Sequence, residues 1–236
     1  MSSNYSDAEI NQLVSGLKQI PPIIVNNRTD LTGNNPALKV IDCVFSLGRT
    51  YDTQVIPLIN NFLNEFPQIN TLEGLMDKID ECGDCKVFFS NLLNYRDDDK
   101  SETCYWVLYY FIEISKQYSG SQIERLHTWA ISVKPDAYRR MIRYKGFDRH
   151  IRGFGPAGWQ YMRMLFGADT CKPDRHIINF IQNTTGRKDS PICAVEMLEL
   201  AAPMAGLKVR EADRLIWHKY SEDSKSKRKY TPKQCL

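Results

Sequence analysis

Residues 151–177 read IRGFGPAGWQYMRMLFGADTCKPDRHI, and this stretch decides how the rest of the chain is understood. It opens on a tight turn, Gly153-Phe154-Gly155-Pro156, that leads into a helical apolar pattern. Two glycines two positions apart permit positive φ and close backbone approach. A proline suits the first turn of a helix, where its missing N–H costs nothing. The free amides of such a helix start, at the positive end of its dipole, form a small anion site suited to one backbone phosphate. Nineteen positions beyond Gly155 stands Asp174, within Lys172-Pro173-Asp174-Arg175-His176, placed to cap a further helix. A phosphate anchor followed by a carboxylate is what is needed to hold a nucleic-acid backbone and to stabilise positive charge on a sugar.

The flanking sequence reads as nearly all helix. Residues 37–47 are apolar all round, the pattern of a buried helix. Amphipathic helices are expected over 55–66 and 71–80, a short one over 86–93, and an aromatic-rich one over 103–117 that supplies the core. Ser121 with Glu124 has the spacing of a capping box. Further helices are expected over 135–144, about 191–205 and about 209–220. Residues 95–100, YRDDDK, form a charged break suited to a lobe junction or a loop, and the end from 221 has the composition of a mobile basic tail. Residues 1–36, punctuated by Pro21-Pro22 and Gly33-Asn34-Asn35-Pro36, read as a short helix followed by a surface loop.

At 236 residues the chain is long enough to bury a substantial core. No apolar run reaches the length of a bilayer span, and the first residues, MSSNYSDAEI, resemble no secretory leader, so the expected setting is intracellular, cytoplasmic or beside DNA. The net charge of +3 decides little, but its distribution is informative: ten basic residues against four acidic ones lie between Lys134 and Arg175, around the turn where phosphate would be neutralised. A solvated basic helix face is the alternative reading of the same charges. Seven cysteines, mostly in apolar settings, read as core hydrophobes of a reducing compartment. Cys82-Gly83-Asp84-Cys85 has half the spacing of a zinc site, and no second pair follows to complete it.

The Gly153–Pro156 turn and the Pro173-Asp174-Arg175-His176-Ile177 segment together resemble the helix-hairpin-helix DNA glycosylase superfamily, which includes endonuclease III, the adenine-mismatch glycosylases and the alkylpurine glycosylases. The family hairpin reads roughly L-P-G-V-G-x-K with T-A after it, and residues 151–159 lie on it. The family's catalytic segment reads V-D-x-H-hydrophobic, and residues 173–177 match it with proline in place of valine and a slightly shorter preceding loop. The resemblance is strongest over about 145–185 and extends weakly back to about 37. It implies an all-α, two-lobed helical bundle with the helix-hairpin-helix at about 145–167. The expected organisation is an N-terminal extension over 1–36, a glycosylase-like domain over 37–220 with a DNA cleft between its lobes, and a basic tail over 221–236.

The resemblance also implies roles. Asp174 is the candidate catalytic acid, its alternative being a helix N-cap and nothing more. Gly153, Phe154, Gly155, Ala157, Gly158, Arg152, Lys172 and His176 are the candidate contacts to the DNA backbone. The lysine with which bifunctional members attack the sugar is replaced by Ala157, so the implied enzyme is monofunctional, releasing a base and leaving an intact abasic strand. The four cysteines that hold an iron–sulfur cluster in some relatives are not matched, since only Cys193 and Cys235 follow the catalytic segment. No cofactor or metal is therefore expected beyond a monovalent cation at the hairpin carbonyls. Base flipping requires a wedge and a pocket. Residues 46–52, SLGRTYD, lie on the family's S-x-Q-x-x-D wedge segment with Arg49 for glutamine, which makes Arg49 or Tyr51 the wedge and a closed helix end the alternative. Trp159 and Trp106 are the candidate pocket aromatics, with core packing as the alternative for each. The expected partner is double-stranded DNA, bound by a monomer and not by way of a membrane. A non-catalytic DNA-binding module, and an enzyme acting on hypermodified viral bases in defence, remain open alternatives.

Overall fold

The structure, a computed structural model, describes residues 5–22, 31–143 and 151–229. It is all-helical, with twelve α-helices and no strand among the described residues, as the sequence periodicity requires. The chain divides into two units, one formed by Asn27–Ala168 and one by Met1–Asn26 with Asp169–Leu236. The charged stretch at 95–100 lies within one unit, residues 95–97 as a loop and residues 98–100 as the first turn of a helix, and the divisions fall at 26 and 168.

The unit Asn27–Ala168 is built around α2 (Pro36–Ser46), every residue of which is buried. Asn35 caps it, accepting from Leu38 N, and Pro36 occupies the first turn. Its last carbonyls are satisfied by a lysine from far along the chain: Lys100 Nζ donates to Val44 O at 2.9 Å and to Leu47 O at 2.7 Å. Around α2 lie α3 (Ile56–Glu65), α4 (Leu72–Glu81), the short α5 (Cys85–Val87), α6 (Asp98–Ser115), α7 (Gln122–Ser132), α8 (Tyr138–Ile142) and α9 (Pro156–Leu165). The helix expected over 55–66 forms as α3, with a wide π-type turn at 51–55 leading into it, whereas a second such turn at 88–92 replaces most of the helix expected over 86–93. The Ser121–Glu124 capping box forms as its spacing requires. The core between α6, α7 and α9 is an aromatic cluster, with Trp129 edge-on to Trp159 at 5.1 Å and to Phe111 at 4.7 Å.

The second unit joins α1 (Asp7–Lys18) to α10 (Arg175–Thr185), α11 (Pro191–Met204) and α12 (Val209–Lys229). The short helix expected within residues 1–36 forms as α1, and it is packed into this unit. Leu13 and Leu17 of α1 are fully buried in the core made by the C-terminal helices. Arg187 secures α1 to the loop before α11, donating to Glu9 at 3.0 Å and to Asp189 at 2.8 Å. The expected tail departs from expectation, because α12 runs on through 221–229. That segment contains neither glycine nor proline, and extending a helix already nucleated and packed upstream costs little. Residues 230–236 lie outside the described residues.

Candidate functional site

The Gly153–Pro156 turn is held by a residue that the motif does not contain. Thr103, fully buried on α6, accepts from Arg152 N at 3.0 Å and donates to Arg152 O at 3.1 Å, so one hydroxyl satisfies both backbone groups before the turn. The Arg152 side chain reaches Asp99 at 2.8 Å in an exposed pair. Gly153 has φ of 73°, where a side chain is strained. Gly155 does not: it is extended, with φ −109° and ψ −151°, and serves as the N-cap of α9. A Cβ at either glycine would meet no atom within 4 Å. Pro156 follows at the first helical position, and no side chain caps the first turn of α9. The half-exposed backbone at Gly155 and Ala157 therefore offers the free amides of a helix start. Lys145 and Arg149, counted with the basic residues around the turn, lie outside the described residues. Lys134, Arg139, Arg140 and Arg143 are exposed.

Phe154, Gly158 and Trp159 face inward. Phe154 is 2% exposed and Trp159 1%, with the indole N–H on Lys134 O at 3.4 Å. Gly158 is a packing residue: a Cβ there would lie 2.9 Å from the Phe154 ring and 3.0 Å from Leu47. Its carbonyl accepts from Cys43 Sγ at 3.2 Å, so the glycine lets α9 approach α2 closely. The Phe154 ring is therefore core, as is the side of α9 that carries Gly158 and Trp159, and Trp159 takes the packing role given as its alternative. Trp106 keeps partial exposure beside Tyr105 at 5.7 Å and Tyr109 at 6.2 Å.

The wedge segment is also more occupied than its sequence indicates. Tyr51 OH donates to the buried Asp42 at 3.3 Å, which Tyr161 OH also approaches at 3.2 Å, so Tyr51 is directed into the protein and not towards solvent. Arg49 is paired with Asp97, and the bonds to Asp97 and Tyr95 raise its pKa above the ordinary arginine value. It borders a polar hollow of about 530 Å³ with Gln54, Asn61, Tyr95, Arg96 and Asp97. Arg49 would have to leave Asp97 to act as a wedge.

The acid site lies at the start of α10, in the unit that contains α1 and α12. Asp174 is half-buried and caps the helix, Oδ1 accepting from His176 N at 2.8 Å and Ile177 N at 3.4 Å. Its own N–H donates to Lys172 O at 2.7 Å, closing a turn of three residues. That turn is laid along the beginning of α12 by two carboxylates. Asp169 accepts from Arg210 N at 3.0 Å and Val209 N at 3.3 Å, and Asp213 accepts from Lys172 N at 2.9 Å. Asp213 retains a little solvent contact but is enclosed by protein on nearly all sides. Loss of hydration, with Asp174 nearby, pushes its pKa from 3.8 to about 7 against the opposing charges of Lys172 and Arg210. The buried Cys171 thiol is pushed well up by burial and by Asp213, Glu199 and Asp174. His176 is 6% exposed, its ring 6.4 Å from that of Trp217, and burial lowers its pKa although Asp174 opposes this. A buried imidazole at this position orders the helix start and presents little surface to DNA. Lys172 is half-exposed.

Asp213 and Thr103 are the residues that sequence reasoning missed. Asp213 sits in the charged stretch READRL, which has the composition of a solvated helix face, and no local signal distinguishes it. Among the described residues no group of three or more His, Cys, Asp and Glu side chains could hold a metal ion. Cys82 and Cys85 are free thiols, and burial pushes Cys85 to about 11. No helix among the described residues is long and apolar enough to cross a membrane.

A family model described as a domain of unknown function (DUF8548) matches residues 151–221, under a third of the chain. That match begins at the first residue of the hairpin segment and ends within α12, taking in both Asp174 and Asp213. No curated protein and no solved structure matches the chain.

Proposed function

We propose that this protein is a monofunctional DNA N-glycosylase that hydrolyses the bond between a base and its deoxyribose by means of Asp174. The observation that carries the reading is the pairing, within one short segment, of an uncapped helix start behind open glycines with a half-buried aspartate. Asp174 Oδ1 accepts from both helix-start amides, and in this reading Oδ2 meets the sugar. In the reaction the C1′–N bond breaks with its electron pair leaving on the base, and positive charge builds on the sugar, where a carboxylate stabilises it. Water then bonds to C1′ and gives up a proton, which Asp174 accepts in this reading. Ala157 carries no amine, so no covalent sugar–enzyme link forms and the strand is left intact. A phosphate would be held at the amides of the α9 start, with a monovalent cation at the hairpin carbonyls and no other cofactor. Double-stranded DNA is the partner, bound by a monomer.

The test is base release from a panel of DNA carrying alkylated, deaminated, oxidised and hypermodified viral bases, with abasic sites revealed by alkali. Asp174→Asn is the control, since asparagine caps a helix as well as aspartate does. A second reading is favoured by the same cap: an aspartate satisfying two amides has a structural role without any reaction. The protein would then be a helix-hairpin-helix DNA-binding module, and both proteins would bind DNA tightly without releasing a base.

A further inference from the structure

Asp213 is an unusual way to hold one backbone amide. A neutral side chain would accept from Lys172 N without the cost of burying a carboxyl beside another acid. The geometry around it is nonetheless specific. Asp169 fixes the start of the 169–174 segment on the first amides of α12, Asp213 fixes its middle one turn later, and Asp174 N–H closes the turn on Lys172 O. The backbone of Asp174 is therefore set by α12 on one side and by its own helix on the other. The charged and titratable groups that face Asp213 are Lys172 and Asp174 from this turn and Arg210 from its own helix, while the Cys171 thiol lies close by with Glu199 of α11 beyond it.

We infer that Asp213 is a positioning residue for Asp174: through the Lys172 amide it fixes the turn that aims the acid. This rests on the reading of Asp174 as the functional acid. The protonated carboxyl leaves Asp174 as the only negative charge of the pair. Once ionised, Asp213 adds a second negative charge beside it and pulls harder on the Lys172 amide. The effect reaches the substrate only through Asp174, so Asp213 need not touch DNA.

The experiment compares wild type, Asp213→Ala and Asp213→Asn in two readouts, one of which does not require turnover. Hydrogen exchange of the Lys172 amide, followed by NMR in the full chain, is expected to speed up at least tenfold in Asp213→Ala, with α11 amides unchanged, and to stay near wild type in Asp213→Asn. Base release is expected to lose at least tenfold in kcat in Asp213→Ala with KM within about twofold. Asp213→Asn is expected to keep most of kcat but lose the wild-type inflection near neutral pH. Unchanged Lys172 exchange in Asp213→Ala overturns the inference, as does a wild-type pH profile in Asp213→Asn. The profile of Asp213→Asn decides even if the alanine variant does not fold. If wild type releases no base from any DNA, the glycosylase reading fails by itself, and the exchange rates still decide whether Asp213 fixes the turn.

Discussion

Replacing Asp213 by asparagine should stabilise the protein at alkaline pH and do much less at acid pH. The folded state holds the carboxyl at about 7 instead of its ordinary 3.8, chiefly because protein encloses it. A group whose pKa is raised by folding contributes stability that is complete below the unfolded value and is lost as pH rises through the folded one. At about 1.4 kcal/mol per unit of pKa, ionising Asp213 in place costs at most about 4 kcal/mol. Its residual solvent access and the relaxation of Lys172 and Arg210 reduce this, so roughly 2–4 kcal/mol is expected. Asparagine keeps the acceptor for Lys172 N and never ionises. The assay is urea denaturation of both proteins at about pH 4.5, 6 and 8, followed by tryptophan fluorescence. Because carboxylates remote from this turn titrate identically in both proteins, the difference between the curves isolates Asp213 together with its coupling to Asp174. The stability of Asp213→Asn relative to wild type should rise by roughly 1–3 kcal/mol between pH 4.5 and 8, since part of the change already lies below pH 4.5. A difference that stays constant within about 0.5 kcal/mol would refute the assignment of a buried, proton-holding carboxyl at this position.

The hairpin yields two further predictions. Gly158→Ala should destabilise by about 1–3 kcal/mol, because the added methyl meets the Phe154 ring and Leu47 where α9 lies on α2. Gly155→Ala, with open space around the new Cβ and an extended backbone, should change stability by less than about 1 kcal/mol; the two melting temperatures, measured side by side, check the contrast. Thr103→Val should cost about 1–3 kcal/mol by leaving both backbone groups of Arg152 without the hydroxyl, measurable by chemical denaturation. Thr103→Ser should recover most of that loss.

Much of this architecture is legible in the sequence where the signal is local. The all-apolar run at 37–47 becomes the buried α2, Ser121 and Glu124 close their capping box, and Asp174 caps α10 as its place before the apolar period requires. The illegible features are those decided by distant partners. Trp159 stands on a helix with apolar residues on several sides, and only the positions of Phe111 and Trp129 fix which side is inward. The Lys172–Asp213 and Thr103–Arg152 bonds join residues 41 and 49 positions apart, beyond any spacing rule. The assignment of α1 to the C-terminal helices depends on packing of Leu13 and Leu17 against residues far along the chain, which no local pattern in residues 1–36 signals. Helix α12 outruns its expected end because composition alone does not distinguish a charged tail from a charged helix continuing from a packed one.

The most direct measurement is single-turnover release of free base from duplex DNA by wild type and Asp174→Asn, with DNA affinity measured for both. Wild type should release a base and leave alkali-labile strands with no cleavage before alkali, and Asp174→Asn should bind DNA with similar affinity and release base at least a hundredfold more slowly. Equal release by both proteins, or strand cleavage without alkali, would contradict hydrolysis by Asp174 in a site that has alanine at position 157.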